Sequence, residues 1–304
     1  MLEAVPNISE GRRPETVEAV GRALGGTGAS VLDVHSDADH NRSVFTLVGE
    51  PQELADALVA GARAAIERID MRTHEGVHPC IGALDVAPVV YLRRGDRELA
   101  VDEALAVANR LAGELELPVF LYGTLANDPE RSERAYFREG GVGALEERLL
   151  AGELEPDFGP GRLHPTAGAT LVACRPPLVA FNLELAEPDL DAAKAIAAEV
   201  REAGGGLPGV RAIGVMLERA GTAQVSINVQ DPFEVPLAEV VRAVRKAAAS
   251  HGVHIRAGEL VGLAPEAALD GFPDDFLLKG FDERAHVLEK RLTSSRVRSA
   301  DGET

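Results

Sequence analysis

The segment His74–His78 carries the residues whose types and spacing are best suited to chemistry. It reads His-Glu-Gly-Val-His, a match to the H-E-x-x-H pattern in which two histidines on one face of a helix bind zinc and the glutamate acts as a base. The backbone context opposes that interpretation. Gly76 weakens a helix, and Pro79 disfavours the helical conformation of the residue before it. We therefore predict no metal site here, and a zinc peptidase is the weakest of the alternatives.

His78 remains a candidate for acid–base chemistry without a metal. A histidine titrates near neutrality, so one imidazole can accept a proton and later return it. Asp85 follows seven residues later and could orient His78, although a role in the fold is the better interpretation of a carboxylate within a strand. A histidine that only caps a turn is the alternative for His78, and the residue types alone leave it open.

The composition limits the classes of partner. The 304 residues include 31 Lys plus Arg against 49 Asp plus Glu, a net charge of -18. Nucleic acids and anionic membranes both require a positive surface, so neither is an expected partner. An anionic substrate would need a local group of basic residues. The two cysteines, Cys80 and Cys174, do not make a disulfide framework, and no leader or membrane span is evident, so we predict a cytoplasmic location.

Hydrophobic patterning predicts the elements that must position these residues. The first half reads strand, helix, strand, strand, helix, strand, followed by one more helix and strand. In chain order these are Leu2–Val5, Pro14–Leu24, Val31–Val34, Ser43–Val48, Glu53–Ile69, Ala83–Leu92, Val101–Leu115 and Val119–Tyr122.

The second half repeats the order strand, helix, strand, strand, helix, strand. Its elements are Leu178–Leu185, Asp189–Glu202, Val210–Leu217, Thr222–Val229, a helix with the stripe Leu237, Val240, Val241 and Val244, and Val253–Leu260. This order is the ferredoxin-like unit. The predicted fold is α/β (α+β), with two ferredoxin-like sandwich subdomains at residues 1–177 and 178–292 and a substrate cleft between them. The Gly- and Pro-rich stretch Asp157–Thr170 is expected at the joint, and a disordered tail at 293–304.

Five short stretches carry a family resemblance. They are Val5–Arg12, Asp39–Val44, His78–Val86, Pro156–Pro160 and Ala223–Asn228. Together and in this order they resemble the glutamate formimidoyltransferases, the folate-dependent enzymes of histidine breakdown. The resemblance extends from about Leu2 to about Ala268.

The resemblance implies transfer of a formimino group from N-formimino-L-glutamate to N5 of tetrahydrofolate, giving 5-formimidoyltetrahydrofolate and L-glutamate. The family's catalytic histidine precedes Pro and the run Gly-Ala-Leu-Asp-Val, which corresponds to His78 as general base and acid. The family's folate-binding stretch begins at the Gly-Pro after Asp-Phe. It corresponds to Gly159, Pro160, Gly161, Arg162, Leu163, His164, Pro165, Thr166, Ala167 and Gly168.

The donor would carry a formamidine cation and two carboxylates. Arg12 and Arg42 are the predicted partners of the carboxylates, because a guanidinium binds a carboxylate bidentately. Asp37 and Asp39 are the predicted partners of the formamidine, and Asn41 belongs to the same predicted substrate site. A surface salt bridge or a solvated loop charge is the alternative in each case. Arg162 and His164 could meet the anionic tail of the folate.

Two positions depart from the family pattern. His35 stands where a family member has an aspartate near the active site, so that acidic role would fall to Asp37 or Asp39. The folate stretch lacks an aromatic residue near Ala167, and stacking on the pterin would have to come from elsewhere, for example Phe158.

Tetrahydrofolate, with or without a polyglutamate tail, is expected as a co-substrate, with no tightly bound cofactor. A homodimer is expected from the family, with a separate formimidoyltetrahydrofolate cyclodeaminase acting downstream. Two alternatives remain besides the peptidase. One is a glutamate formyltransferase using N-formylglutamate and tetrahydrofolate, and the other is a non-catalytic folate-binding protein.

Overall fold

The computed structural model of the chain describes residues 1–38, 41–76, 79–217 and 221–292. The chain divides into two compact units, Met1–Arg175 and a second unit that begins at Pro176. The predicted tail at 293–304 lies outside the described residues. Among the described residues, no helix combines the length and apolar character needed to cross a bilayer.

The first unit contains a seven-stranded mixed sheet. Its strands are β1 (Leu2–Ala4), β2 (Asn7–Ile8), β3 (Ser30–Asp37), β4 (Arg42–Gly49), β5 (Leu84–Val90), β6 (Val119–Leu121) and β7 (Thr170–Arg175). β3 pairs with β4, β1 and β2 lie between β4 and β5, and β7 lies between β5 and β6. The pairings from β3 through β5 are antiparallel, as in the predicted ferredoxin-like unit, whereas β7 pairs in parallel with both neighbours.

Five α-helices occur among the described residues of the first unit: α1 (Pro14–Gly25), α2 (Pro51–Ile66), α3 (Arg97–Leu115), α4 (Arg134–Arg138) and α5 (Gly141–Leu150). α1 begins at a proline, whose fixed φ suits the first helical turn, and it buries the predicted stripe of Val17, Val20 and Leu24. α2 begins with a capping box in which Glu50 and Glu53 each accept the backbone N–H of the other. These local signals explain why both helices begin close to where the sequence places them.

The last strand of the first unit corrects one expectation. β7 (Thr170–Arg175) is buried along almost its whole length, so it lacks the alternation of polar and apolar residues that marks a half-exposed strand. The stretch Asp157–Thr170 leads directly into this central strand. It therefore lies inside the first unit and not at the joint between the two halves.

The second unit confirms the predicted ferredoxin-like order. Its elements are β8 (Val179–Leu185), α6 (Leu190–Val200), β9 (Val210–Leu217), β10 (Thr222–Val229), α7 (Leu237–Ser250), β11 (Ile255–Val261) and the short α8 (Glu283–His286). The sheet is antiparallel in the order β11-β8-β10-β9. Along β10, Val225, Ile227 and Val229 are almost fully buried, as the alternating pattern predicts, and they join the apolar residues of α6 and α7 in one core.

Candidate active site

The end of β2 and the starts of β4, β5 and β7 meet at one edge of the sheet in the first unit. β2 ends at Ile8, which pairs with Ser43 near the start of β4 and with Leu84 at the start of β5. Ser9 continues this contact, because its backbone N–H donates to Ala83 O at 3.0 Å and its hydroxyl donates to Gly82 O at 2.7 Å. The segment after β2 is thus fixed against the segment that precedes β5.

Glu10 organises the start of α1. The residue is 3% exposed, and its carboxylate accepts the backbone N–H groups of Arg12 and Arg13 at 2.8 and 2.9 Å. It also forms an ion pair with the Arg13 side chain. Burial would raise the pKa of Glu10, but the hydrogen bonds from Arg12 and Arg13 outweigh it and keep this pKa below its ordinary value. Glu10 therefore fixes the backbone from which the exposed Arg12 side chain extends.

Gly11 passes directly against the turn that joins β3 and β4. A Cβ at Gly11 would lie 2.2 Å from Asp37 O and 2.7 Å from Arg42 N, so a larger residue does not fit. The Gly11 N–H donates to the Asn41 side-chain oxygen at 3.0 Å, and Arg12 Nε donates to Ala38 O at 2.8 Å. The close crossing brings the predicted residues Arg12, Asp37, Asn41 and Arg42 together.

Asn41 connects this turn to the segment that contains His74. It is 8% exposed, and its φ of 49° is left-handed, a conformation that asparagine tolerates better than most residues. Its Nδ2 donates to Glu75 O at 2.8 Å and lies 3.4 Å from His74 Nδ1. Both ends of the Asn41 amide are therefore occupied by protein groups, which points to positioning as its main role.

His74 lines a cavity of about 320 Å³. Other lining residues are Ser9, Glu10, Arg12, Arg13, Asn41, Arg68, Ile69, Asp70 and Thr73. Burial, the largest effect, lowers the pKa of His74 and favours its neutral form. His74, Glu75 and Gly76 lie outside any helix, so the zinc-protease geometry has no helical support in these residues. Among the described residues, no group of three metal-binding side chains converges.

The predicted folate stretch contacts the segment that follows His78. Gly82 and Gly168 form an antiparallel bridge, flanked by hydrogen bonds from Ala83 N to Ala167 O and from Ala169 N to Ile81 O, both 2.9 Å. A Cβ on Gly82 would lie 1.8 Å from Ala169 O, and one on Gly168 would lie 2.1 Å from Ile81 O. Both glycines are therefore required for this close approach.

Within the predicted folate stretch, the His164 side chain holds the backbone of the residues that follow it. His164 Nδ1 accepts the N–H groups of Thr166 and Ala167 at 3.3 and 3.0 Å, and burial lowers the pKa of His164. With Nδ1 used as an acceptor, a neutral His164 carries its proton on Nε2. Ala167 and Gly168 are buried, whereas Gly159, Gly161, Arg162 and Pro165 are exposed, and Pro160, Leu163, His164 and Thr166 are half-buried.

Asp85 lies in a β-bulge at the start of β5. Asn7 pairs with Val86 and Ile8 with Leu84, so the register passes over Asp85. Asp85 accepts the Ile81 N–H at 2.8 Å and forms a buried ion pair with Arg138 of α4. Burial raises the pKa of Asp85, and the nearby Arg138 opposes that rise. Asp85 therefore anchors the loop between His78 and β5, which agrees with the structural role expected for it.

Arg42 interacts electrostatically with both residues of this anchor, Asp85 and Arg138. Burial is the main cause that lowers the pKa of Arg42, with Arg134 and Arg138 adding to the effect, while Asp85 and Asp37 oppose it. Arg134 and Arg138 were not predicted as site residues. Their spacing of four residues is the only sequence signal, and it is weak because α4 has a single turn.

Several predicted positions remain to be located. His78 and Asp39 lie outside the described residues. His35 is an exposed residue of β3. Phe158 is half-buried just before the predicted folate stretch, and its C=O accepts the Val119 N–H at 2.9 Å. Cys80 and Cys174 are both free thiols.

Two models of known protein families match this chain. The family model described as the formiminotransferase domain, N-terminal subdomain, matches residues 1–175, and the one described as the formiminotransferase domain matches residues 180–290. The chain belongs to the formiminotransferase domain family. The two matched regions correspond to the two compact units of the fold.

Curated relatives of this family align over almost the whole chain. A glutamate formimidoyltransferase of Streptococcus pyogenes serotype M1 is 40% identical over 96% of this chain and 98% of its own length. One from Thermoplasma acidophilum is 36% identical over 96% of this chain and 97% of its own. The formimidoyltransferase-cyclodeaminase of Rattus norvegicus is 40% identical over 88% of this chain, but the match spans only 51% of that bifunctional protein. Among solved structures, the Escherichia coli periplasmic protease PqqL aligns with a TM-score of 0.20 at 11% identity, too slight a likeness to carry an argument.

Proposed function

We propose that this chain transfers the formimino group of N-formimino-L-glutamate to N5 of tetrahydrofolate, giving 5-formimidoyltetrahydrofolate and L-glutamate. The observation that carries the proposal is the bridge between Gly82 and Gly168. Through it, the stretch that the family resemblance assigns to folate touches the segment that begins with His78. Membership in the formiminotransferase family and the names of the full-length relatives support the same reaction.

The reaction requires one proton to move between two nitrogens. N5 of the folate attacks the formimino carbon, and N5 loses its proton as the new C–N bond forms. The glutamate nitrogen then gains a proton as the old C–N bond breaks. His78 can accept the first proton and deliver the second, so the histidine ends in its starting state. A residue in this role contributes about 10²–10⁴-fold to the rate, and holding both substrates in place contributes much of the rest.

We assign the donor to the group around the β3–β4 turn. Arg12 and Arg42 would bind its carboxylates, and Asp37 and Asp39 would hold the formamidine cation. Support comes from the exposed position of Arg12, whose Nε is fixed on Ala38 O, and from Arg134 and Arg138, which add positive charge around Arg42. In a chain of net charge -18, such local cations are what an anionic substrate needs.

We assign tetrahydrofolate to Gly159–Gly168 as a co-substrate, with no tightly bound cofactor. Exposed glycines allow a flat ring to approach the backbone, and backbone amides can bond its edge. Arg162 is exposed and suits an anionic tail. The loop bonds His164 through Nδ1, so the Nε2–H of the neutral ring is a second group that can donate to a ligand.

The cellular setting is also part of the proposal. We infer a cytoplasmic enzyme of histidine breakdown that acts as a homodimer, with a formimidoyltetrahydrofolate cyclodeaminase consuming its product. The bifunctional relatives, whose names join the two activities, support that sequence of reactions. The cytoplasmic location is supported by two free cysteines in a long chain and by a composition unsuited to nucleic acids or anionic membranes. Sedimentation of the purified chain at several concentrations tests the homodimer.

The decisive experiment supplies purified protein with tetrahydrofolate and either N-formimino-L-glutamate or N-formyl-L-glutamate. We expect release of L-glutamate from the formimino donor at a rate well above that from the formyl donor. Turnover of the formyl donor alone would replace the proposed reaction with the formyl transfer. Folate binding without turnover of either donor would make the chain a non-catalytic folate-binding protein.

The role of His78 is tested by His78→Ala, with His254→Ala as the matched control. The His254 side chain is 84% exposed in the second unit, so its loss should leave kcat unchanged. We expect His78→Ala to lower kcat by about 10²–10⁴-fold while the affinity for tetrahydrofolate stays within about twofold. A variant with normal kcat would remove His78 from the mechanism, and one tightly bound zinc per chain would instead favour the peptidase.

A further inference from the structure

The segment before α5 carries three arginines, of which two are bound in ion pairs and one is not. Arg131 forms a buried ion pair with Asp157 at 2.6 Å, and Arg138 forms one with Asp85. Arg134 lies between them in sequence and is exposed. Among the residues that the structure describes, no carboxylate forms an ion pair with Arg134. Both neighbouring arginines are used by the fold, whereas no hydrogen bond from the Arg134 guanidinium reaches another residue in the described part of the chain.

The ring of Tyr122 holds Arg134 in place. The Arg134 Cζ lies 5.8 Å from the centre of this ring, which is 7% exposed and belongs to the core under α4 and α5. A guanidinium over an aromatic face keeps its N–H groups in its own plane, so they remain available to a ligand. The contact with the ring therefore leaves the hydrogen-bond donors of the cation available.

The position of Arg134 relates it to the proposed active site. Arg134 and Arg138 are four residues apart on α4, so their side chains leave the same face of the turn. Arg138 reaches Asp85, and Asp85 also accepts the N–H of Ile81 in the loop that follows His78. The Arg134 face of α4 is therefore the face turned towards that loop.

Basic side chains gather in this region. Among the described residues, Arg134 and Arg138 add positive charge around Arg42, while Asp85 and Asp37 add negative charge. The whole chain has a net charge of -18, so a group of three arginines runs against its composition. A region of this kind is suited to an anionic ligand.

We propose that Arg134, stacked on Tyr122, binds a glutamyl carboxylate. The inference rests on the proposed function, because both the donor and tetrahydrofolate carry a glutamate. The guanidinium would bind the carboxylate through two parallel N–H···O hydrogen bonds, and Arg42 would add electrostatic attraction from the adjacent strand. The ligand is thus the glutamate portion of one substrate, and the two substrates can be distinguished experimentally.

The test measures binding without turnover, using wild type, Arg134→Gln and Arg134→Lys. Arg242→Gln is the control, since it removes one exposed arginine from α7. Calorimetric titrations use N-formimino-L-glutamate, tetrahydrofolate and tetrahydropteroate, which lacks the glutamate. Arg134→Gln should weaken one glutamate-containing ligand by about tenfold or more, which is the loss expected for a charged hydrogen-bonding pair. Arg134→Lys should recover part of the affinity, and Arg242→Gln should bind as wild type does.

The two sources of the carboxylate give different results. If Arg134 holds the tail of the folate, Arg134→Gln weakens tetrahydrofolate but not tetrahydropteroate. If it holds the donor, only N-formimino-L-glutamate is weakened. Affinities within twofold of wild type for all three ligands would overturn the proposal, provided that thermal unfolding confirms an intact fold. Wild type that binds the ligands without turning them over would contradict the proposed reaction alone, and wild type that binds none would overturn both.

Discussion

Asn41 offers the sharpest test of how the candidate site is assembled. Its side chain joins the segment after β2 to the segment before His78, through hydrogen bonds with Gly11 N–H and Glu75 O. Its backbone is also left-handed, with a φ of 49°. Replacing Asn41 should therefore affect both stability and catalysis, and different replacements should separate the two effects.

The size of the stability effect follows from these contacts. Asn41→Gly keeps the backbone conformation but loses both hydrogen bonds, which should cost about 1–3 kcal/mol of unfolding free energy. Asn41→Ala loses the same bonds and adds the strain of a left-handed residue, about 1–2 kcal/mol more. Asn41→Asp keeps the acceptor for Gly11 N–H and tolerates the backbone. It places an oxygen against Glu75 O, so it should lose stability mainly at that contact.

Urea unfolding and initial-rate kinetics on the same preparations would measure both effects. We expect stability to decrease from wild type through Asn41→Gly to Asn41→Ala. Asn41→Asp should lower kcat by about tenfold or more at temperatures where it remains folded, because the segment before His78 loses its attachment to the turn. Glu116→Gly isolates the backbone contribution, since Glu116 has a φ of 53°. That change should stabilise the protein by about 1 kcal/mol.

Two results would contradict this reasoning. Asn41→Gly as stable as wild type would mean that the two hydrogen bonds contribute nothing to the fold. Asn41→Asp with normal kcat would mean that the Glu75 contact does not position the segment next to His78. The two outcomes are independent, so either part can fail without the other.

Three further predictions concern buried features of the first unit. Gly82→Ala should lower the unfolding free energy by at least about 2 kcal/mol and weaken tetrahydrofolate binding, because the new Cβ would meet Ala169 O. Gly113→Ala, whose Cβ would meet nothing, is the control, and a Gly82→Ala variant as stable as wild type would refute the close crossing. Asp85→Asn should lower the unfolding free energy measured in urea by about 3–5 kcal/mol, because it leaves Arg138 buried and unpaired. The double variant with Arg138→Met should recover much of that stability. Burial raises the pKa of Glu103 from 4.5 to about 7, so its folded form holds a proton that the unfolded chain releases, and stability should fall as pH rises from about 4.5 to 7. Glu103→Gln should remove that fall and add on the order of 2 kcal/mol at pH 8, whereas exposed Glu98→Gln should change neither; an unaltered pH profile in Glu103→Gln would contradict the assignment.

The parts of the fold that were predicted correctly have a regular pattern of burial. The stripe Val17, Val20 and Leu24 defines α1, and the alternation through Val225 and Ile227 defines β10. Each pattern reflects one face in contact with a core, and so the sequence alone reveals it. Arg12 and Arg42 lie in short motifs of the family and Asp37 lies two residues before one of them, so the sequence could propose all three as site residues.

The parts that were missed have no such pattern. β7 is buried on both faces and therefore does not alternate, and α4 has too few residues to show a helical period. The roles of Glu10 and Arg138 depend on which groups lie opposite them in space. Asp85 could be read as a structural residue, but its partner Arg138 is 53 positions away along the chain. Only the folded structure can supply such a pairing.

The arrangement of the sheet explains why the family motifs of the first unit are spread so widely along the chain. Val5–Arg12 contains the end of β2, and Asp39–Val44 contains the start of β4. His78–Val86 leads into β5, and the stretch that begins at Pro156–Pro160 leads into β7. Because β2 is antiparallel to β4 and β5 while β7 is parallel to β5, all four strand ends meet at one edge of the sheet. Each motif can therefore be read as one wall of a single site, and a change that shifts any one strand end should disturb the other three.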